Sequence, residues 1–169
     1  MVLLGLMASG KSSVGRILAS RLGRPFRDND EQLEQELGTT AGSYADSHGL
    51  TALHTAELDI LARSLRQPDP AVISAAASVG DRPDLAEILS GHRVVWIDVD
   101  PLVLAARVAR GRDHRPVSAE AVTQLRAQRQ RRAPRFRAVA DVILTWRDEE
   151  AEVLAGRILD RLDLGPRRP

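Results

Sequence analysis

The sequence predicts an α/β fold: a three-layer, doubly wound, parallel sheet of five strands with helices on both faces. Three observations carry that prediction. Short apolar runs alternate with longer amphipathic stretches through the 169 residues. The first apolar run, Val2-Leu3-Leu4, leads through a Gly-rich turn directly into a helical pattern. The composition, 43% apolar and 28% charged, is that of a chain able to bury an ordinary core.

The elements follow in order. Val2–Leu4 reads as a short buried strand. Apolar Val14, Ile17, Leu18 and Leu22 recur at helical spacing from Lys11, and Gly23 stops that helix. Pro25–Asp28 is a second strand, after which Asn29 or Asp30 caps a helix to about Leu37-Gly38. A looser helix covers Thr51 to Leu65. Ala71–Ala75 is a strand after a Pro-Asp-Pro turn, and Pro83–Leu89 a short helix ended by Gly91. Arg93–Asp98 is the clearest strand, and Pro101 opens the next helix. The Arg-rich stretch Arg107–Arg115 interrupts the pattern and is expected to be a mobile loop. Ala119–Arg132 is a helix, Asp141–Thr145 the last strand and Glu149–Leu162 the closing helix. This predicts a single domain over 1–164, with a lid at about 108–118 and a flexible tail at 165–169.

Composition excludes several classes. A net charge of +1 creates no global field for nucleic acid or a membrane surface, and the Arg-rich helix lacks interleaved aromatics. There is no cysteine, hence no disulfide framework or thiolate metal site. No apolar run approaches the ~18 residues of a membrane span, and the N-terminal run has no basic flank and breaks at Gly5. A cytoplasmic monomer acting on small molecules is expected.

Gly5-Leu6-Met7-Ala8-Ser9-Gly10-Lys11-Ser12 matches G-x-x-x-x-G-K-[ST] without a gap. In such a phosphate loop (P-loop), backbone N–H groups turn inward as a nest for phosphate oxygens, and the following helix adds its positive end. Gly5, Ala8, Ser9, Gly10, Lys11, Ser12 and Ser13 are therefore candidates for binding ATP. Lys11 would reach the β- and γ-phosphates, and the Ser12 hydroxyl would be a ligand of Mg2+. Of 24 Lys plus Arg, Lys11 is the single lysine. It stands where a compact point charge suits phosphate better than a planar fork.

With these residues in place, the chain resembles the shikimate kinase family of P-loop small-molecule kinases along almost its whole length. Phe26-Arg27-Asp28-Asn29-Asp30 is similar to the family's strand-end D-x-D motif. The resemblance implies that Asp28 helps hold Mg2+ through water and that Asp30 is the base for the reacting hydroxyl. The other role open to Asp30 is a helix cap. Arg112-Asp113-His114-Arg115-Pro116 resembles the family's lid, and Arg115 matches the arginine that closes over the γ-phosphate; a solvated basic loop is the alternative. Arg107 and Arg147 are assigned to the nucleotide. Arg132-Ala133-Pro134-Arg135-Phe136 resembles the R-x-P-x-Y/F element, which implies that Arg132 binds the acceptor's carboxylate. Its neighbours Arg129, Arg131, Arg135 and Arg137 read as a solvated face.

The acceptor side departs from the family pattern. Where the family carries a second carboxylate-binding arginine, this chain has His54, followed by a matching Glu57. Losing one charge-assisted contact costs about 1.5–3 kcal/mol. Where the family has three glycines, this chain has Ala76-Ala77-Ser78; the added methyls are expected to crowd the acceptor and to strain any position with positive φ. A pocket-lining aromatic is represented by Ala45 or Tyr44. The expectation is a kinase that keeps ATP as donor and transfers phosphate to a hydroxyl of a small acidic or polyhydroxylated molecule. His54, Ala76, Ala77, Arg132 and Asp30 then face that acceptor. Open alternatives are a kinase for a different sugar or cyclic acid, and a nucleotide-binding module without catalysis.

Overall fold

The computed structural model describes residues 1–111, 117–147 and 149–164. Its elements are β1 (Val2–Leu4), α1 (Lys11–Leu22), β2 (Phe26–Asp28), α2 (Asn29–Leu37), α3 (Ala41–His48), α4 (Leu50–Arg66) and β3 (Val72–Ser74). A 3-10 turn (Ala77–Asp81) follows, then α5 (Leu85–Ile88), β4 (Val94–Val99), α6 (Pro101–Gly111), α7 (Ala119–Val139), β5 (Val142–Trp146) and α8 (Ala151–Arg161). The five strands form one sheet in the order β2-β3-β1-β4-β5. Every pairing is parallel: Leu3 pairs with Ser74 on one side and Val95 on the other. The predicted fold class is the one observed.

Both sheet faces are covered, as a parallel sheet requires. Leu3, Val95 and Ile97 point to one side and pack with Val14 and Leu18 of α1 and Leu154 and Ile158 of α8. Val2, Leu4, Val94 and Trp96 point to the other and pack with Leu85 and Phe136. Leu33, Leu53 and Ile60 form a third cluster joining α2 and α4. The central strand β1 delivers the phosphate loop at its carboxyl end, where the chain crosses to either side of it and α/β sheets open a ligand crevice. No described helix is long and apolar enough to cross a membrane.

The structure corrects four local expectations. Helix α3 is absent from the sequence reading because it has no buried residue and contains Gly42; Thr40 caps it, accepting from the Ser43 N–H at 3.2 Å, and Tyr44 and Ala45 lean on the third cluster. Arg107 to Arg110 belong to α6 rather than to a loop, since Val103, Leu104 and Ala105 bury one face of that helix. The rest of the expected lid at 112–116, with Arg115, lies outside the described residues, as does the tail at 165–169. Helix α7 runs on through Pro134 to Val139. Proline in a helix interior costs about 3 kcal/mol, and the burial of Phe136 against Trp96, at 5.8 Å between ring centroids, offsets it. Finally, the cap of α2 is Asp28, whose Oδ1 accepts from the Asp30 N–H at 3.0 Å, and not Asn29 or Asp30.

Candidate active site

The phosphate loop leaves β1 as extended backbone and turns through Ala8 (φ 59°) and Gly10 (φ 87°), both left-handed. A Cβ on Gly5 would lie 2.9 Å from the Ile97 carbonyl, so the loop can start beside β4 only without a side chain there. Gly10 is the N-cap of α1, and no side chain caps the helix; no acidic residue stands in its first turn. The first N–H groups of α1 are thus left to an external acceptor, with the positive end of the helix dipole behind them. The Ser9 hydroxyl is buried beneath the loop without a partner.

Lys11 is 6% exposed and folds back over the loop, its Nζ donating to the carbonyls of Gly5 at 3.2 Å and Leu6 at 3.1 Å. Burial pushes its ammonium below the ordinary lysine range, while Asp30 and Asp28 pull it back up. Asp28 is buried at the end of β2 with its Oδ2 unpaired. Asp30, in the first turn of α2, opens to solvent at the cleft, yet the protein around its carboxyl pushes its pKa up, opposed by Lys11. Because Asp28 caps α2, Asp30 is left with a carboxylate that the helix does not use.

Ala8, Gly10, Lys11, Ser12, Ser13 and Asp30 line one cleft of about 590 Å³. Its far wall is Arg107, whose guanidinium lies 4.2 Å over the Trp146 ring and donates to the carbonyls of Ala8 at 3.3 Å and Arg147 at 3.2 Å. Arg107 thus joins α6, the phosphate loop and the end of β5. Arg147 contributes its backbone to that junction; its exposed side chain is not part of the cleft wall.

A second cleft, of about 370 Å³, opens between α4 and the 3-10 turn, with His54, Thr51, Ser78 and Asp81 in its lining. Glu57 stands between the clefts. It is buried, accepts from the Ser78 hydroxyl, and is pushed up by burial; Asp30, His54 and Arg132 are all within its electrostatic reach. Arg132 on α7 is buried and bound to Asp81, its Nη2 at 2.6 Å and its Nε at 3.0 Å from Oδ2. Arg131 donates to the same carboxylate from outside. Burial works to raise the pKa of Asp81, but hydrogen bonds and charge from Arg131 and Arg132 outweigh it and hold the carboxyl well below its usual range.

Ala76 and Ala77 are placed differently from their expected role. Ala76 is 1% exposed in the core beyond β3, at φ −59°. The only described non-glycine residues with positive φ are Ala8 and Asp163, so neither alanine is strained. The chain removes the expected strain by winding this segment into a 3-10 turn, which presents Ser78 and Asp81 to the cleft instead. Tyr44 stacks on His48 at 4.3 Å on α3 and, like Ala45, is absent from the lining of either cleft. Sequence reasoning missed Ser78, Asp81 and Trp146. Only Ser78 carried a signal, as the polar residue closing the altered glycine segment.

The chain is similar to known proteins along most of its length. The family model described as Shikimate kinase matches residues 7–163. A shikimate kinase of Paramagnetospirillum magneticum is 34% identical over 163 residues, covering 95% of this chain and 83% of the relative. One of Symbiobacterium thermophilum is 29% identical over 164 residues, covering 95% and 94%. Among solved structures, the shikimate kinase of Acinetobacter baumannii in complex with shikimate superposes with a TM-score of 0.83 at 27% identity, over 95% of this chain and 90% of that one.

Proposed function

The chain belongs to the shikimate kinase family, ATP-dependent phosphotransferases acting on a hydroxyl group, and from that premise we propose that it transfers the γ-phosphoryl group of ATP, with Mg2+, to a hydroxyl of a shikimate-like polyhydroxylated ring. One observation carries the reading: the phosphate loop, Lys11 and the carboxylate of Asp30 line the same cleft. The β- and γ-phosphates sit against the uncapped start of α1. Lys11 leaves the carbonyls of Gly5 and Leu6 for the phosphate oxygens, a stronger acceptor for its buried charge.

Mg2+ fits the residues present. Among the described residues no cluster of three or more His or acidic side chains could hold a metal, and Mg2+ is ordinarily held by one or two protein ligands plus phosphates. The Ser12 hydroxyl would be a ligand of the ion, and the orphaned, buried Oδ2 of Asp28 would help hold it through water. When bound, the ion neutralises charge on the phosphates.

Asp30 accepts the proton of the acceptor hydroxyl. The new bond forms between that oxygen and the γ-phosphorus while the bond from phosphorus to the β–γ bridging oxygen breaks, and its electron pair leaves with ADP. Proximity of the two substrates and positive charge around the transferring group supply most of the acceleration. The test is ADP release by the purified protein with Mg2+-ATP and a panel of ring acceptors that includes shikimate. Acceptor-dependent release with a matching phosphorylated product is expected; ATP binding without any acceptor-dependent release sinks the reading.

A further inference from the structure

The second cleft is electrically closed. Three guanidiniums beside it meet two carboxylates: Arg131 and Arg132 share Asp81, and Arg82 makes a two-pronged pair with Asp84 at 2.9 and 2.7 Å; a third carboxylate, Glu57, accepts from the Ser78 hydroxyl. The edge of Arg132 that could grip a carboxylate, Nε and Nη2, is spent on Asp81, and its Nη1 approaches Gln128 Oε1 at 3.4 Å. This pair is a built one. The Arg132 side chain is 7% exposed, so its guanidinium has little recourse to water if Asp81 lets go. What remains toward the cleft is the Thr51 hydroxyl, the oxygens of the Thr55 and Ser78 hydroxyls, whose protons go to the Thr51 carbonyl and to Glu57, the His54 imidazole and the apolar walls of Leu58 and Val79.

We propose that Asp81 is a specificity-determining residue: it occupies Arg132 as a ligand's carboxylate would, and so turns the cleft toward acceptors that are polyhydroxylated but uncharged. An anionic acceptor has to displace Asp81 from a buried guanidinium or leave its own charge unpaired in a cleft with no uncommitted guanidinium among the described residues. A neutral ring polyol meets neither penalty and finds hydroxyl partners. The inference rests on the cleft being the acceptor side, which its junction with Asp30 at Glu57 supports.

The experiment is calorimetric titration of shikimate, and of its isosteric uncharged carboxamide, into the protein bound to a non-hydrolysable ATP analogue. The unaltered protein is expected to bind the carboxamide at least as tightly as the acid. Asp81→Asn, which frees Arg132, is expected to shift the ratio of the two affinities toward the acid by 10-fold or more. Asp81→Ser repeats the measurement should Asp81→Asn fold poorly, which a thermal melt reads. The proposal is overturned if the unaltered protein binds shikimate 10-fold tighter than the carboxamide, if the ratio does not move in the variants, or if neither ligand binds. Acceptor-dependent ADP release is read separately. Its absence with the affinity pattern intact sinks the kinase reading and leaves the inference standing; turnover with the acid preferred sinks the inference alone.

Discussion

Trp146, the last residue of β5, lies so close over Gly10 that a Cβ built on that glycine would come within 1.9 Å of the ring's Cζ3. The phosphate loop is thus clamped from outside by an aromatic that Arg107 covers in turn. The contact ties the opening residue of the loop's helix to a strand 136 residues later, beyond any local pattern.

Gly10→Ala is therefore expected to damage the site twice. The methyl collides with the Trp146 ring, and φ 87° is left-handed, which costs an L-residue about 1–2 kcal/mol. Nucleotide affinity measured by calorimetry should fall at least 10-fold and the melting temperature should drop. Pairing it with Trp146→Ala should recover the part due to collision; no recovery would show that the backbone conformation alone is responsible.

Lys11→Met should abolish phosphoryl transfer and weaken ATP binding. Its effect on stability should run the other way. The folded pKa of Lys11 is lowered, so holding it charged at neutral pH works against folding, and replacing a buried charge by an apolar chain is often neutral or stabilising. The nucleotide-free melting temperature is expected to stay level or rise. A clear fall would mean that its bonds to Gly5 and Leu6 hold the loop together.

Asp30→Asn should lower turnover by about 10²-fold or more and leave ATP affinity nearly unchanged. As the proposed base Asp30 would work ionised, and its pKa is raised above the ordinary 3.8. Activity of the unaltered enzyme should then be lost as pH falls through that raised value, and this acid limb should be missing from the residual activity of the variant. An unchanged limb would assign it to another group.

Asp81 titrates in the opposite sense. Its folded pKa lies well below the unfolded 3.8, so the stability it contributes is present above pH ~4 and is lost as pH falls further, because only the unfolded chain takes up the proton. The difference in unfolding free energy between the unaltered protein and Asp81→Asn should shrink as pH drops below about 4. Taking the difference removes the contributions of Asp30 and Glu57, whose raised pKa values favour the folded state at low pH and lose that contribution as pH rises. A difference that is flat with pH would mean the pair contributes no linkage.

Phe136→Ala should destabilise the protein by about 3–5 kcal/mol, since the ring is 1% exposed against Trp96. Beyond that, α7 should fray from Pro134 onward, because the packing that offsets the proline is gone. Increased proteolysis after Arg135 or Arg137, relative to Arg126, would report it; uniform cleavage would argue against a local effect.

The donor side of the site was legible because phosphate is bound by contiguous backbone. Eight successive residues and the helix start behind them carry the chemistry, so their order in the chain is already their arrangement in space. The same holds for Asp28 and Asp30, two residues apart at a strand end. The alternation of apolar runs and amphipathic stretches likewise determined a parallel α/β sheet, since each pattern has few ways to bury its apolar side. What only the tertiary structure decided is the second cleft. It opens between α4 and the 3-10 turn, and its governing contact joins Asp81 to Arg132 of α7 across 51 residues. Local spacing says nothing about which carboxylate a given arginine will meet; in a chain with 23 arginines, packing makes that choice, because a buried guanidinium without a partner is too costly to keep.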